Sequence, residues 1–215
     1  MKRLVLPRLY VILDAALLTV PESECGQELV DAGVRLLQYR NKKASARELF
    51  EGAKRLSSLL IPQGATFVVN DRADVAWAAG ASGVHVGQED LEAGAARLVM
   101  GAGRLLGVST HTLEQFEQAA ASSADYIAVG PVFATSTKAN PDPVVGIELI
   151  RRVRLSTDKP IVAIGGITLE RAGEVIQAGA DSVAVVSDIL LAPSPGKRAR
   201  SYIDLLSAAK QAAAN

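Results

Sequence analysis

The segment TFVVNDRADVAWAAGASGVHVGQED, Thr66 to Asp90, reads as one complete strand–helix–strand unit. Its two apolar runs, Thr66 to Asn70 and Gly83 to Val86, are too short for helices and carry β-branched residues, so they predict strands. Between them a short helix after Asp71 ends at Ala79-Gly80-Ala81, where glycine suits a left-handed cap and a tight return into the next strand. The same ending recurs at Asp31-Ala32-Gly33 and Ala178-Gly179-Ala180, each followed within a few residues by another apolar run. This is a weak internal repeat of the strand–helix unit.

Working outward, six further runs match the first two: Leu9 to Leu13, Leu36 to Arg40, Leu105 to Val108, Tyr126 to Gly130, Ile161 to Ile164 and Ser182 to Val186. Between the runs lie stretches of helical spacing, among them Ala46 to Leu60, Leu113 to Ala121, Gly146 to Arg154 and Leu169 to Gln177, several opened by a Ser or Thr N-cap. Eight such units predict an α/β fold of the closed (β/α)8 TIM-barrel type. An open doubly wound sheet uses the same unit, and the strand count favours the barrel. No linker divides the chain, so one domain is expected over residues 1–215, with a core over about 9–190 and a C-terminal helix over 197–213.

Composition agrees with a parallel sheet wrapped in helices. Hydrophobic residues make up 49% of the 215 and aromatics only 4%, so the interior must be built from Val, Ile, Leu and Ala. The 23 basic residues balance 23 acidic ones, leaving no global field to hold nucleic acid or an anionic membrane. An anionic ligand would need a local site. Cys25 is alone, which excludes an intrachain disulfide and a thiolate metal cluster. Pro7, Arg8 and Asp14 interrupt the apolar start before signal-peptide or membrane-span length, and a cytoplasmic protein is expected. A homo-oligomer is compatible with this composition.

In a β/α barrel the chemistry gathers where the strands end. After the second strand comes Gln38-Tyr39-Arg40-Asn41-Lys42, in which alternation sends Gln38, Arg40 and Lys42 to one side. Two cations and an amide suit a diphosphate; a solvated loop is the plain alternative. Asn70-Asp71-Arg72 follows the third strand and Gly87-Gln88-Glu89-Asp90 the fourth, which puts Asp71 and Asp90 on neighbouring strand ends. Magnesium takes one or two carboxylates and completes its shell with waters and substrate phosphates, so this pair beside Arg40 and Lys42 fits a metal-diphosphate pocket. Helix capping is the competing role for both aspartates. Ser109 ends the fifth strand with a hydroxyl free to meet a ligand, whereas His111 beside a helix start receives no catalytic role. The loop after the sixth strand, Thr135-Ser136-Thr137-Lys138, reads as an anion-binding lid. Gly165-Gly166 after the seventh strand and Val186-Ser187 after the eighth lie where such barrels commonly hold a phosphate. Two anion pockets on one face point to an enzyme with two substrates.

The motifs QYRNK, VVNDRADVAWAAGASGVHVGQEDL, GVSTHT, DYIAVGPVFATSTK, PIVAIGGIT and VAVVSDIL occur in this order. Over roughly Leu9 to Leu190 the chain thereby resembles the thiamine phosphate synthase family. The resemblance implies transfer of a hydroxymethylpyrimidine group from its diphosphate to the nitrogen of a thiazole phosphate, yielding thiamine phosphate and diphosphate. It implies that Gln38, Tyr39, Arg40, Asn41, Lys42, Asn70, Ser109 and Lys138 hold the pyrimidine diphosphate, and that Asp71 and Asp90 bind Mg2+. It further implies that Thr135, Ser136, Thr137, Gly166, Val186 and Ser187 hold the thiazole phosphate. Tyr39 stands where the family usually carries leucine. The implied mechanism is dissociative, with Arg40, Lys42 and Lys138 as catalytic cations neutralising the leaving diphosphate, and with no protein nucleophile. A thiazole tautomerase of the same superfamily would lack parts of this diphosphate pocket; a silent phosphate-binding barrel is the other alternative.

Overall fold

Eight parallel strands pair in chain order and the eighth closes on the first. They are β1 (Leu9–Asp14), β2 (Leu36–Arg40), β3 (Thr66–Asn70), β4 (Gly83–Val86), β5 (Leu105–Thr110), β6 (Tyr126–Val129), β7 (Ile161–Ile164) and β8 (Ser182–Val185). The protein is seen in a computed structural model that describes residues 4–135 and 142–212. The helices are α1 (Glu22–Asp31), α2 (Ala46–Leu60), α3 (Ala73–Ala78), α4 (Ala93–Met100), α5 (Leu113–Ala121), α6 (Gly146–Arg154), α7 (Leu169–Gln177), α8 (Ser187–Leu190) and α9 (Pro195–Ala212). The expected TIM barrel is therefore present. Relative to the sequence reading, β1 runs on to Asp14 and β5 to Thr110, while β6 and β8 each stop one residue sooner.

Strand alternation sorts the core into two apolar groups. Leu6, Tyr10, Ile12, Leu36, Val68, Tyr126, Ala128, Val162 and Ala184 fill the barrel interior, and the opposite parity, such as Val11, Leu37, Phe67, Val84 and Ile127, packs beneath the helices. Helix ends follow local sequence. Ser45 and Glu48 form a reciprocal capping box at the start of α2, a device worth about 1 kcal/mol. Gly33, Gly80 and Gly179 take the left-handed conformation at φ 99°, 69° and 114°, as the repeated helix endings predict.

On the side opposite the strand ends, Asp125 and Asp181 repeat one device. Each accepts from an amide near the start of a neighbouring strand, at Leu106 and Ile161, and each pairs with an arginine, Arg97 at 2.6 Å and Arg154 at 2.7 Å. At the strand-end side, α9 clamps α8. Arg198 and Tyr202 both reach the Asp188 carboxylate, at 2.9 and 2.6 Å. Against the burial that would raise it, these two bonds hold the Asp188 carboxyl below its ordinary range. No helix among the described residues is long and apolar enough to cross a membrane.

Candidate active site

The second strand delivers its polar residues to two different places. Gln38 is buried inside the barrel, and Arg40, of the same parity, pairs with Asp14 at the end of β1. The Asp14 side chain is only 3% exposed, and it also accepts from the Ala16 amide at 3.0 Å. Arg40 is thus anchored from behind by a buried carboxylate, with a quarter of its side chain still open. Tyr39 and Asn41 have the other parity and leave this group. Tyr39 is buried against α2 and donates to Glu22 at 3.0 Å, and Asn41 donates to the Tyr39 hydroxyl at 3.2 Å. Both line a hollow of about 560 Å3 on the outer side of β2, with Glu22, Arg47 and Arg55. Their expected contact with a pyrimidine diphosphate does not agree with this placement, because successive strand residues point to opposite faces. Tyr39 accordingly sits in the helix layer.

Lys42 crosses to the third strand and pairs with Asp71 at 2.5 Å. Asp71 is the one residue other than glycine, among those described, with a left-handed backbone, at φ 65°. Its amide donates to the His85 carbonyl at 2.7 Å, which ties the β3 and β4 ends together. Burial and the neighbouring Asp90 carboxyl push the Asp71 carboxyl above its ordinary range, while Lys42 pulls it down. Capping explains neither aspartate. The N-cap residues of α3 and α4 are Arg72 and Glu92, with no side-chain cap bond at either, and Asp90 instead accepts from the Gly87 amide at 2.7 Å. Among the described residues the pair gathers no third His, Cys, Asp or Glu. Two adjacent hard-oxygen donors with excess negative charge fit a magnesium ion that takes its other ligands from phosphate and water.

Inside the barrel the polar side chains join. Gln38 donates to the Tyr10 hydroxyl at 2.8 Å, Tyr10 meets Tyr126 at 3.0 Å, Tyr126 meets His85 Nδ1 at 3.0 Å, and His85 Nε2 meets Ser109 Oγ at 2.8 Å. Burial pushes both phenols well above their ordinary range and holds His85 down at about 4, so all three are neutral near neutral pH. Asn70 sits at the end of β3, in register with His85.

The loops after β6 to β8 form the other half of the mouth. A cis bond joins Gly130 to Pro131, and the Val132 and Phe133 amides donate to Ile164 and Gly165 at 2.8 and 3.0 Å. Gly165 and Gly166 are both left-handed, at φ 99° and 61°, and a Cβ on Gly166 would lie 2.3 Å from the Ala134 carbonyl oxygen. Backbone therefore approaches backbone beside Thr135. Val186 and Ser187 are half-buried at the start of α8. Ser136, Thr137 and Lys138 lie outside the described residues. His111, at the end of β5, donates from Nδ1 to the Gly130 carbonyl at 2.6 Å and faces Asp142 at 3.5 Å, so it ties together both stems of the β6–α6 loop.

Sequence reasoning missed Asp14, Tyr10, His85 and Tyr126. The alternation of strand β4 held one signal, since His85 has the inward parity of Gly83 and Gly87 in an otherwise apolar run. Of the two threonines that could cap α5, Thr110 and Thr112, it is Thr112 that does so.

Residues 9–189 match the family model described as thiamine monophosphate synthase. The chain is 51% identical to the thiamine-phosphate synthase of Koribacter versatilis, over 94% of this chain and 96% of that one. It is 42% identical to the thiamine-phosphate synthase of Methanospirillum hungatei, over 92% and 97%. Among solved structures, a thiamine phosphate pyrophosphorylase from Pyrococcus furiosus superposes with a TM-score of 0.85 at 35% identity, covering 94% of this chain and 96% of that one. An orotidine 5'-phosphate decarboxylase from Pyrococcus horikoshii, TM-score 0.67 at 16% identity, shares the fold alone.

Proposed function

The chain belongs to the thiamine monophosphate synthase family, and on that premise we propose that its barrel mouth couples a hydroxymethylpyrimidine diphosphate to a thiazole phosphate. The enzyme is a transferase of thiamine biosynthesis, releasing thiamine phosphate and diphosphate. The observation that carries the site is the run of charge across β1 to β4: Asp14–Arg40, then Lys42–Asp71 with Asp90 beside it.

Arg40 and Lys42 bind the diphosphate, Arg40 through its planar fork and Lys42 as a point charge. Asp71 and Asp90 hold magnesium, which when bound neutralises charge on the diphosphate oxygens. Asn70, Gln38 and Ser109 hold the pyrimidine, and Lys138 adds a further cation for the diphosphate. Thr135, Ser136, Thr137, Gly166, Val186 and Ser187 hold the thiazole phosphate through backbone and hydroxyl donors. The carbon–oxygen bond to the diphosphate breaks first, and its electron pair leaves with the diphosphate. The aminopyrimidine carries the resulting cation until the thiazole nitrogen lone pair forms the new carbon–nitrogen bond. Catalysis is then positioning and leaving-group electrostatics, and the absence of need for a nucleophile agrees with mouth residues that are donors and cations.

The test is a coupling assay with purified protein, both substrates and magnesium. Release of diphosphate together with thiamine phosphate is expected. No product from protein that demonstrably binds both substrates would refute the reading.

A further inference from the structure

The buried chain from Gln38 to Ser109 spans the barrel through three interior residues: Tyr10 on β1, Tyr126 on β6 and His85 on β4. Tyr10 and Tyr126 are at most 1% exposed and His85 is 6% exposed. Five polar groups in an interior filled mainly by apolar side chains are costly unless each bond is made. A barrel core could have been filled with apolar side chains instead, so the links ask for a use.

The direction of the chain follows from its first member. The Gln38 amide nitrogen can only donate, so Tyr10 accepts there and must pass its one proton to Tyr126. Tyr126, having accepted, donates to His85 Nδ1, which makes Nδ1 the bare nitrogen and places the proton on Nε2. His85 Nε2 then donates to Ser109 Oγ, and the Ser109 hydroxyl proton is left for the mouth. At the other end, the Gln38 amide nitrogen is committed inward, and its carbonyl is the group with acceptor capacity.

We propose that Tyr10, Tyr126 and His85 are positioning residues that present Ser109 as a donor and Gln38 as an acceptor, and thereby select an aminopyrimidine over its oxo analogue. This rests on the reading that Gln38 and Ser109 hold the pyrimidine. An amino group donates and the adjacent ring nitrogen accepts, which complements the pair. In the oxo analogue the carbonyl accepts and the ring N–H donates, which inverts both contacts and leaves buried polar groups unpaired. Cutting the chain frees His85 to change tautomer and Ser109 to turn, so a cut site can meet either pattern.

Calorimetry on the whole protein with magnesium measures dissociation constants for the aminopyrimidine diphosphate, its oxo analogue and inorganic diphosphate. The variants are Tyr126→Phe, which removes the central hydroxyl, and Tyr10→Phe, which removes a different link should the first not fold. The amino-to-oxo preference is expected to fall at least tenfold in either variant, with inorganic diphosphate bound within about twofold of the unaltered protein. An unchanged preference in folded variants would overturn the proposal. A second measurement needs no variant: nitrogen-15 shifts of His85 should report the Nε2–H tautomer, and an Nδ1–H tautomer would overturn the direction of the chain. Failure of the coupling reading would show separately, as no diphosphate release with both substrates whatever the binding preference.

Discussion

Lowering the pH from 7 towards 4 should destabilise this protein through His85 in particular. The imidazole is buried between Tyr126 and Ser109, and burial holds it at about 4 against an ordinary 6.5. Of the charges near it, Asp90 favours the cation and His111 opposes it. Protonation at Nδ1 also requires the Tyr126 hydroxyl to turn away. Between 6.5 and 4 the unfolded chain binds a proton that the folded chain refuses, so stability is complete above the unfolded value and is lost as the pH falls to the folded one. The full displacement amounts to about 3 kcal/mol, at about 1.4 kcal/mol per tenfold change in proton affinity. For a chain of this size that is roughly 6–12 °C in Tm. Asp71 works the other way, because its raised carboxyl is protonated first in the folded state and its contribution weakens as the pH rises. Urea unfolding at a series of pH values, run in parallel on His85→Gln, isolates the histidine: the unaltered protein should lose about 3 kcal/mol more than the variant between pH 7 and 4. Parallel curves, or a His85 resonance titrating near its ordinary value, would refute the reasoning.

Three further outcomes follow from the site. Asp71→Ala and Asp90→Ala should each lower magnesium-dependent turnover at least tenfold, a loss of at least about 1.4 kcal/mol in transition-state stabilisation, measured by diphosphate release against magnesium concentration. Asp14→Ala removes the buried partner of Arg40 and should lower kcat/KM for the pyrimidine diphosphate at least tenfold, with KM for the thiazole phosphate within about twofold, in steady-state kinetics. Gly166→Ala places a Cβ 2.3 Å from the Ala134 carbonyl oxygen at a left-handed φ of 61°, and should raise KM for the thiazole phosphate at least tenfold while leaving that for the pyrimidine diphosphate within about twofold.

Helix and strand periods are local, and the bounds of β2, β3, β4, β7, α2, α5, α6 and α7 were legible to the residue. The glycine caps were legible for the same reason: each is set by a few neighbouring residues. Strand-end polarity also marked Arg40, Lys42, Asp71 and Asp90 as neighbours, because in a closed barrel consecutive strand ends are adjacent in space. The family resemblance placed Tyr39 and Asn41 in the pocket with their neighbours, although alternation alone assigns them to the outer face.

The sequence by itself thus determined the barrel, the family and the ring of charge at the mouth, since all of these are carried by short-range pattern. Only the tertiary structure decided what stands behind that ring. Asp14 meets Arg40 across the β1–β2 pairing, and Tyr10 meets Tyr126 across 116 residues. Those contacts exist because closing the barrel brings opposite strands to one narrow interior, where side chains far apart in the chain must satisfy one another's hydrogen bonds without water. No local period records which partner each will find.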